Sequence, residues 1–251
     1  MPETKKRKTA IITGYNRGIG KSITLRLAQD GYDLILCSRS KNNEIIDNVK
    51  KKFKTQVRDY NFNLKDIDNT ISSAKEIIKD CNQLNQGVDL LVNNAGMIKT
   101  GLFLMEKKEN FKEIFDVNFF SQVFFTQSLI NLLKKNKGSS IINISSTSAL
   151  EHDLGRLAYN ASKSAFISFS KTLSKELSMF GIRVNCIAPG LINTEMLTSF
   201  TSQKVINEMI EKNISKRLGT KEEIAELVSF LASDKSNYIN GQTLRIDGGM
   251  F

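Results

Sequence analysis

Three side chains have types and spacings suited to moving a proton: Ser146, Tyr159 and Lys163. Tyr159 and Lys163 stand four apart in Tyr159-Asn160-Ala161-Ser162-Lys163, so on a helix both project from one face. A tyrosine phenol, with a pKa of about 10, is a poor acid–base group at neutral pH. A nearby ammonium stabilises the phenolate and lowers that pKa. Lys163 is therefore expected to acidify Tyr159, which gives a proton to a substrate oxygen or takes one from it. The Ser146 hydroxyl suits the same oxygen as an oxyanion-type donor. Ser145 is its rival. A Tyr/Lys pair at this spacing is common, so its meaning depends on its surroundings.

The surroundings include a glycine-rich turn. Thr13-Gly14-Tyr15-Asn16-Arg17-Gly18-Ile19-Gly20 follows a short apolar run and precedes helical spacing. Residues without side chains let the backbone turn sharply and approach a pyrophosphate at the positive end of a helix. The next apolar run ends Leu36-Cys37-Ser38-Arg39, and its acidic residue, Asp33, lies at its start. An acidic residue at the tip would bond a ribose 2′-hydroxyl, whereas arginine suits a 2′-phosphate. Arg39, with Arg17 converging from the turn, predicts NADP(H) rather than NAD.

These groups need a frame. The chain has 251 residues, 40% hydrophobic and 25% charged, as a soluble globular protein does. Apolar runs expected as strands are Thr9–Thr13, Leu34–Cys37, residues 55–60, Val88–Val92, Ile141–Ile144, Arg183–Ile187 and Leu244–Ile246. Helices are expected over 19–29, 42–54, 66–82, 109–135, 157–179, 203–213 and 221–232. Such alternation predicts an α/β fold, a Rossmann-type doubly wound parallel sheet of about seven strands in three α/β/α layers. One domain is expected over 1–251, with a solvated basic arm at 1–8 and a strand stopped by Pro189-Gly190. Ligands of such sheets gather at the carboxyl ends of the strands.

Scarcities exclude other chemistries. The one histidine, His152, rules out a His-rich metal site, and Cys37, Cys81 and Cys186 show no C-x-x-C spacing. No metal is expected, and a reducing cytoplasm fits. The net charge of +10 is spread along the chain, apart from Lys5-Lys6-Arg7-Lys8. No nucleic-acid partner is expected, and no apolar run approaches the ~20 residues of a membrane span.

In this order, Thr13–Gly20, Asn93-Asn94-Ala95-Gly96, Asn118, Ser146, Tyr159-x-x-x-Lys163 and Pro189-Gly190 make the whole chain resemble the short-chain dehydrogenase/reductase family. The resemblance implies an NADP-dependent oxidoreductase interconverting a carbonyl and a hydroxyl. Its catalytic residues would be Asn118, Ser146, Tyr159 and Lys163, with Tyr159 and Lys163 also contacting the cofactor, Lys163 at the nicotinamide ribose, and Asn118 holding a water for proton resupply. Cofactor contacts would come from Gly14, Asn16, Arg17, Gly18, Ile19, Gly20, Ser38 and Arg39. Asn63 and Leu64 would lie at the adenine, Asn93, Ala95 and Gly96 at the adenosine ribose, and Pro189, Gly190, Ile192 and Thr194 at the nicotinamide. Residues of about 191–215 would form a substrate lid, and the helices at 109–135 and 157–179 would pair in a homotetramer.

Within the family the chain is most similar to 3-oxoacyl-[acyl-carrier-protein] reductases, notably in its ending Asn240–Met250. The small-molecule carbonyl would then be a 3-oxoacyl thioester on acyl carrier protein. Met97-Ile98-Lys99-Thr100, Glu151–Arg156 and Phe180 depart from that group on the substrate side. A sugar, polyol or small ketone is the alternative substrate. A nucleotide-sensing or nucleic-acid-binding protein on the same scaffold is the non-enzymatic alternative.

Overall fold

Alternating side chains dictate the layers. In the first strand, β1 (Thr9–Thr13), Ala10 and Ile12 enter one core cluster and Ile11 the other. Both faces are apolar because both are covered, the pattern of a parallel sheet between helices. The structure, a computed structural model, describes residues 7–250.

The other strands are β2 (Asp33–Ser38), β3 (Val57–Asn61), β4 (Leu90–Asn93), β5 (Ser140–Ile144), β6 (Arg183–Pro189) and β7 (Thr243–Ile246). They form one sheet in the order β3-β2-β1-β4-β5-β6-β7, and every pairing is parallel. Helices α1 (Gly18–Gln29), α2 (Asn43–Phe53) and α10 (Lys221–Ala232) cover one face. Helices α3 (Ile67–Gln83) and α5 (Ser121–Leu133) pack on the other. Helix α7 (Leu157–Glu176) crosses beside β5 and β6 on that side. Chain order reverses between β1 and β4, so a crevice opens there at the strands' carboxyl ends.

Local signals set the helix limits. Asn42, Asp66 and Thr220 each accept a hydrogen bond from the third backbone N–H of the helix that follows. Gly181 ends the turn after α7 at φ 70°, a left-handed conformation glycine adopts without strain.

Two expectations change. The segment read as one helix, 109–135, consists of α4 (Lys108–Phe115), a π-helical turn (Asp116–Phe120) and α5. Its apolar spacing runs through the break, and the widened turn re-aims Asn118. Pro189 does not stop β6 but closes it, paired with Ile246; proline tolerates a strand end that needs no N–H from it. Of the basic arm, residues 1–6 lie outside the described residues, Lys8 is exposed and Arg7 is partly so. Its Nε donates to Gly31 O at 3.0 Å and lies 3.4 Å from Asp33 Oδ1. Short helices α6 (Ser148–Glu151), α8 (Glu195–Phe200) and α9 (Gln203–Lys212) complete the loops above the sheet. Among the described residues no helix is long and apolar enough to cross a membrane, and no group of His, Cys, Asp or Glu is set to hold a metal.

Candidate active site

A cavity of about 580 Å³ fills the crevice at the sheet's reversal. Its walls include Gly14, Asn16, Arg17, Gly18, Ile19 and Gly20 from the β1–α1 turn, and Ser38 and Arg39 from the end of β2. Asn63 and Leu64 follow β3, Ala95 and Gly96 follow β4, and Ser146 follows β5. Tyr159 and Lys163 come from α7, while Pro189, Gly190, Ile192 and Thr194 belong to β6 and the turn beyond it.

Two sequence-expected residues lie off that wall. Asn93 is fully buried, and its Nδ2 donates to Thr126 Oγ1 and Asn143 Oδ1, both at 2.8 Å. Its side chain joins β4 to β5 and α5, because it ends the strand and that side chain falls on the covered face. Asn118 is also fully buried. Its Oδ1 accepts from Met97 N at 2.8 Å, and its Nδ2 donates to Met97 O at 2.9 Å and to Ser162 Oγ at 3.1 Å. Ser162 Oγ in turn donates to Tyr159 O at 2.8 Å. Asn118 thus ties the loop after β4, at Met97, to the turn of α7 that carries Tyr159.

The β1–α1 turn has the shape a pyrophosphate requires. A Cβ on Gly20 would stand 2.0 Å from Gly14 O, and one on Gly14 2.8 Å from Ala95 Cα. Neither position admits a side chain, so bare backbone lines the approach to α1. No side chain caps α1, which leaves its first N–H groups facing the cavity for an anion. Asn16 Oδ1 is buried without a protein partner. The residues present therefore fit a dinucleotide phosphate. Arg17 and Arg39 line the cavity and are exposed. No ion pair engages either of them among the described residues.

The lock behind this turn was not anticipated. Thr13 Oγ1 accepts from Asn94 N at 3.0 Å and Ala95 N at 3.1 Å. Asn94 Nδ2 donates back to Thr13 O at 3.0 Å and Gly14 O at 3.1 Å. Gln122 Nε2 from α5 donates to Ala95 O. These bonds hold the two lips of the crevice together. A polar pair directly after two buried strands was the available signal.

Across the crevice, the two serines separate. Ser145 is buried and its Oγ donates to Lys163 O at 2.9 Å, whereas Ser146 Oγ accepts from Ser148 N at 3.2 Å and lines the cavity with Tyr159. Burial pushes the Tyr159 phenol above its usual 10.0, opposed first by the Ser146 hydrogen bond and then by the Arg156 charge. Lys163 is 3% exposed, and its Nζ donates to Ile144 O at 2.8 Å. Burial pushes its ammonium down to about 8. Ser146 and Arg156 are the groups that pull the phenol down, while Lys163 Nζ is turned to the Ile144 carbonyl. The i, i+4 spacing sets a shared face but not where a long lysine ends. Lys163 Nζ still borders the cavity beside Gly96, where an added Cβ would meet it at 3.3 Å and Asn118 Oδ1 at 3.4 Å.

A doubly wound parallel sheet with a bare phosphate turn at its reversal, faced by hydroxyl, phenol and ammonium, defines a nicotinamide-dependent oxidoreductase of the Rossmann class. A family profile described as Enoyl-(Acyl carrier protein) reductase matches residues 14–251. The chain is 34% identical over 245 residues to 3-oxoacyl-[acyl-carrier-protein] reductase FabG of Buchnera aphidicola, covering 98% of each. It is 35% identical over 251 residues to the protein of that name from Staphylococcus epidermidis, covering 97% of this chain and 99% of that one. Among solved structures, 3-oxoacyl-[acyl-carrier protein] reductase from Brucella melitensis, in complex with NAD, superposes with a TM-score of 0.89 at 30% identity, covering 98% of this chain and 97% of that one. L-sorbose reductase from Gluconobacter frateurii, complexed with NADPH and L-sorbose, gives a TM-score of 0.88 at 28% identity with the same coverages. The chain belongs to the short-chain dehydrogenase/reductase family and is an NAD(P)-dependent oxidoreductase acting on the C=O/CH–OH pair.

Proposed function

We propose that this enzyme reduces 3-oxoacyl thioesters carried on acyl carrier protein, with NADPH. The observation that carries the reading is full-length likeness to reductases of that name, at 34% and 35% identity, joined to Ser146, Tyr159 and Lys163 lining one cavity. When bound, the reduced nicotinamide supplies a hydride to the carbonyl carbon. Ser146 donates a hydrogen bond to the carbonyl oxygen and keeps it beside the phenol. Tyr159 gives that oxygen a proton. Lys163 holds the nicotinamide ribose and contributes positive charge near the phenol, and Asn118 holds Met97 and the Tyr159 turn in register.

Arg17 and Arg39 would take the 2′-phosphate, because both are exposed cations at the cavity wall and the tip of β2 carries no carboxylate. The turn, with Gly14, Asn16, Gly18, Ile19, Gly20 and Ser38, would hold the rest of the phosphates and ribose. Ala95 and Gly96 would lie at the ribose, Asn63 and Leu64 at the adenine, and Pro189, Gly190, Ile192 and Thr194 at the nicotinamide. The segment over about 191–215, which includes α8 and α9, would serve as lid. Residues 1–251 would form one domain.

A homotetramer is supported by a run of ring contacts from Phe111 through Phe115, Phe119 and Phe120 to Phe166 and Phe169 on α4, the π-turn and α7, where Phe120 is 40% exposed. Sedimentation at four times the 28.2 kDa chain mass is expected. Three buried, unpaired cysteines support a cytoplasmic place. The likeness to L-sorbose reductase favours a sugar substrate as the second reading. NADPH oxidation with an acetoacetyl thioester, a crotonyl thioester and L-sorbose decides among 3-oxoacyl, enoyl and sugar reduction. Turnover of the acetoacetyl thioester alone is expected, and its absence overturns the assignment.

A further inference from the structure

Arg156 sits where helix physics disfavours it. It is the residue before Leu157, the first of α7, and its side chain makes no cap. Ser, Thr, Asp and Asn are the favoured residues there, and a cation faces the positive end of the helix dipole. A residue that breaks a local rule without local gain marks a functional position. The Arg156 guanidinium lies in the cavity wall that carries Tyr159 and Ser146.

The guanidinium is held in place. Asp153 Oδ2 accepts from Arg156 Nη1 at 3.1 Å and from Ser148 Oγ at 2.6 Å. Asn160 Nδ2 donates to Asp153 O at 2.9 Å, and Gly101 N donates to Gly155 O at 2.9 Å. Gly155 supplies the intervening turn at φ 71°. By contrast, Arg156 Nη2 makes only a 3.4 Å contact with Thr201 Oγ1, at the weak end for a hydrogen bond and easily exchanged for a better acceptor. Asp153 offsets the positive charge, so the pair suits an uncharged oxygen better than a free anion. The neighbouring wall is apolar, with Met196, Phe200 and Met209.

We propose that Arg156, held by Asp153, determines specificity by donating a hydrogen bond to a second, uncharged substrate oxygen: the C1 carbonyl of a 1,3-dicarbonyl whose C3 oxygen lies on Tyr159 and Ser146. This rests on the 3-oxoacyl reading given above and says how that substrate is told from a plain ketone. A 3-oxoacyl thioester carries its two oxygens on alternate carbons. Arg156 and Tyr159 are three residues apart at one end of α7 and line the same cavity. An isolated ketone leaves Arg156 Nη2 with only its 3.4 Å contact to Thr201 Oγ1.

The test compares kcat/KM of the wild type and Arg156→Leu, with NADPH, on an acetoacetyl thioester, ethyl acetoacetate and 2-pentanone. Loss of one charge-assisted hydrogen bond is expected to cut the preference for either dicarbonyl over 2-pentanone by about tenfold or more. Equal losses on all three substrates assign Arg156 a merely structural part and overturn the proposal. Should Arg156→Leu not fold, Arg156→Gln, which keeps a neutral donor, is read the same way; a drop of about threefold is expected, and an unchanged preference overturns the proposal. If the wild type reduces ethyl acetoacetate but no thioester, the carrier-thioester reading fails while the Arg156 contact is still judged on the ester. If it reduces neither dicarbonyl, both fail.

Discussion

Lys163 Nζ donates to the main-chain carbonyl of Ile144 at 2.8 Å, which binds the middle of α7 to the last residue of β5. The ammonium is almost without water, and burial pushes it down to about 8, against about 10.4 in an unfolded chain. Below about 8 the lysine is charged in both states, and the folded state bears the full cost of burying it. Between about 8 and 10.4 the unfolded chain binds a proton that the folded chain has released, so stability from this group rises with pH. Lys163→Met removes the group. The stability of the wild type relative to Lys163→Met is expected to rise across that window by at most about 3 kcal/mol. Urea unfolding of both proteins at several pH values between 7 and 10.5 measures it. A difference that stays flat contradicts the burial of a charged lysine.

The phenol of Tyr159 is expected to be needed for proton transfer and dispensable for binding the dinucleotide. Its ring packs at the cavity wall, and phenylalanine keeps that packing while removing the hydroxyl. Tyr159→Phe should lower kcat by about 10²- to 10⁴-fold, the usual worth of a positioned acid. Cofactor affinity, followed by fluorescence titration, should change little, because the phosphate turn lies across the crevice on α1. Substantial turnover in the variant would sink the proton-transfer role.

Ser146 offers a sharper reading of the same pair. Its hydrogen bond is the leading influence that lowers the Tyr159 pKa against burial. In alcohol oxidation the phenol must first lose its proton, so the rate rises with pH as the phenolate forms. Ser146→Ala removes the stabilising donor and leaves burial unopposed by it. The rising limb of the oxidation profile should move to higher pH, beyond any fall in the maximal rate. A limb in the wild-type position would mean that Ser146 does not set the phenol.

The strands were legible because burial on both faces leaves runs such as Ala10-Ile11-Ile12 apolar at every position. Helices with side-chain caps, such as those after Asp66 and Thr220, announced their starts. The π-turn at Asp116–Phe120 was hidden, since one extra residue per turn hardly disturbs a phenylalanine-rich pattern. The Thr13–Asn94 lock was hidden for another reason: it joins residues 81 apart through side-chain to backbone bonds, which leave no periodic trace. A motif resemblance assigns Asn93, Ala95 and Gly96 together and does not show that strand alternation turns the Asn93 side chain into the sheet. Arg156 falls within the Glu151–Arg156 stretch that departs on the substrate side, but only the fold sets it in the cavity wall with Tyr159.

Arg39 gives the clearest test of cofactor choice. It stands just past the tip of β2, exposed beside the cavity, and Arg17 lines the same cavity from the β1–α1 turn. A guanidinium pays no desolvation to remain there in water, so its presence costs the fold little and its removal should not unfold the protein. A 2′-phosphate would meet it through charge-assisted bonds, each with a net worth of about 1.5–3 kcal/mol. Arg39→Ala should therefore raise KM for NADPH by about tenfold or more while leaving kcat close to the wild-type value, because the substitution lies far from Tyr159. KM for NADH, which has a bare 2′-hydroxyl, should stay within about twofold. The measurement is a pair of initial-rate series with the two dinucleotides at saturating carbonyl substrate. Equal effects on both, or a wild type that uses them equally well, would remove the phosphate role from Arg39 and leave the enzyme indifferent to that group.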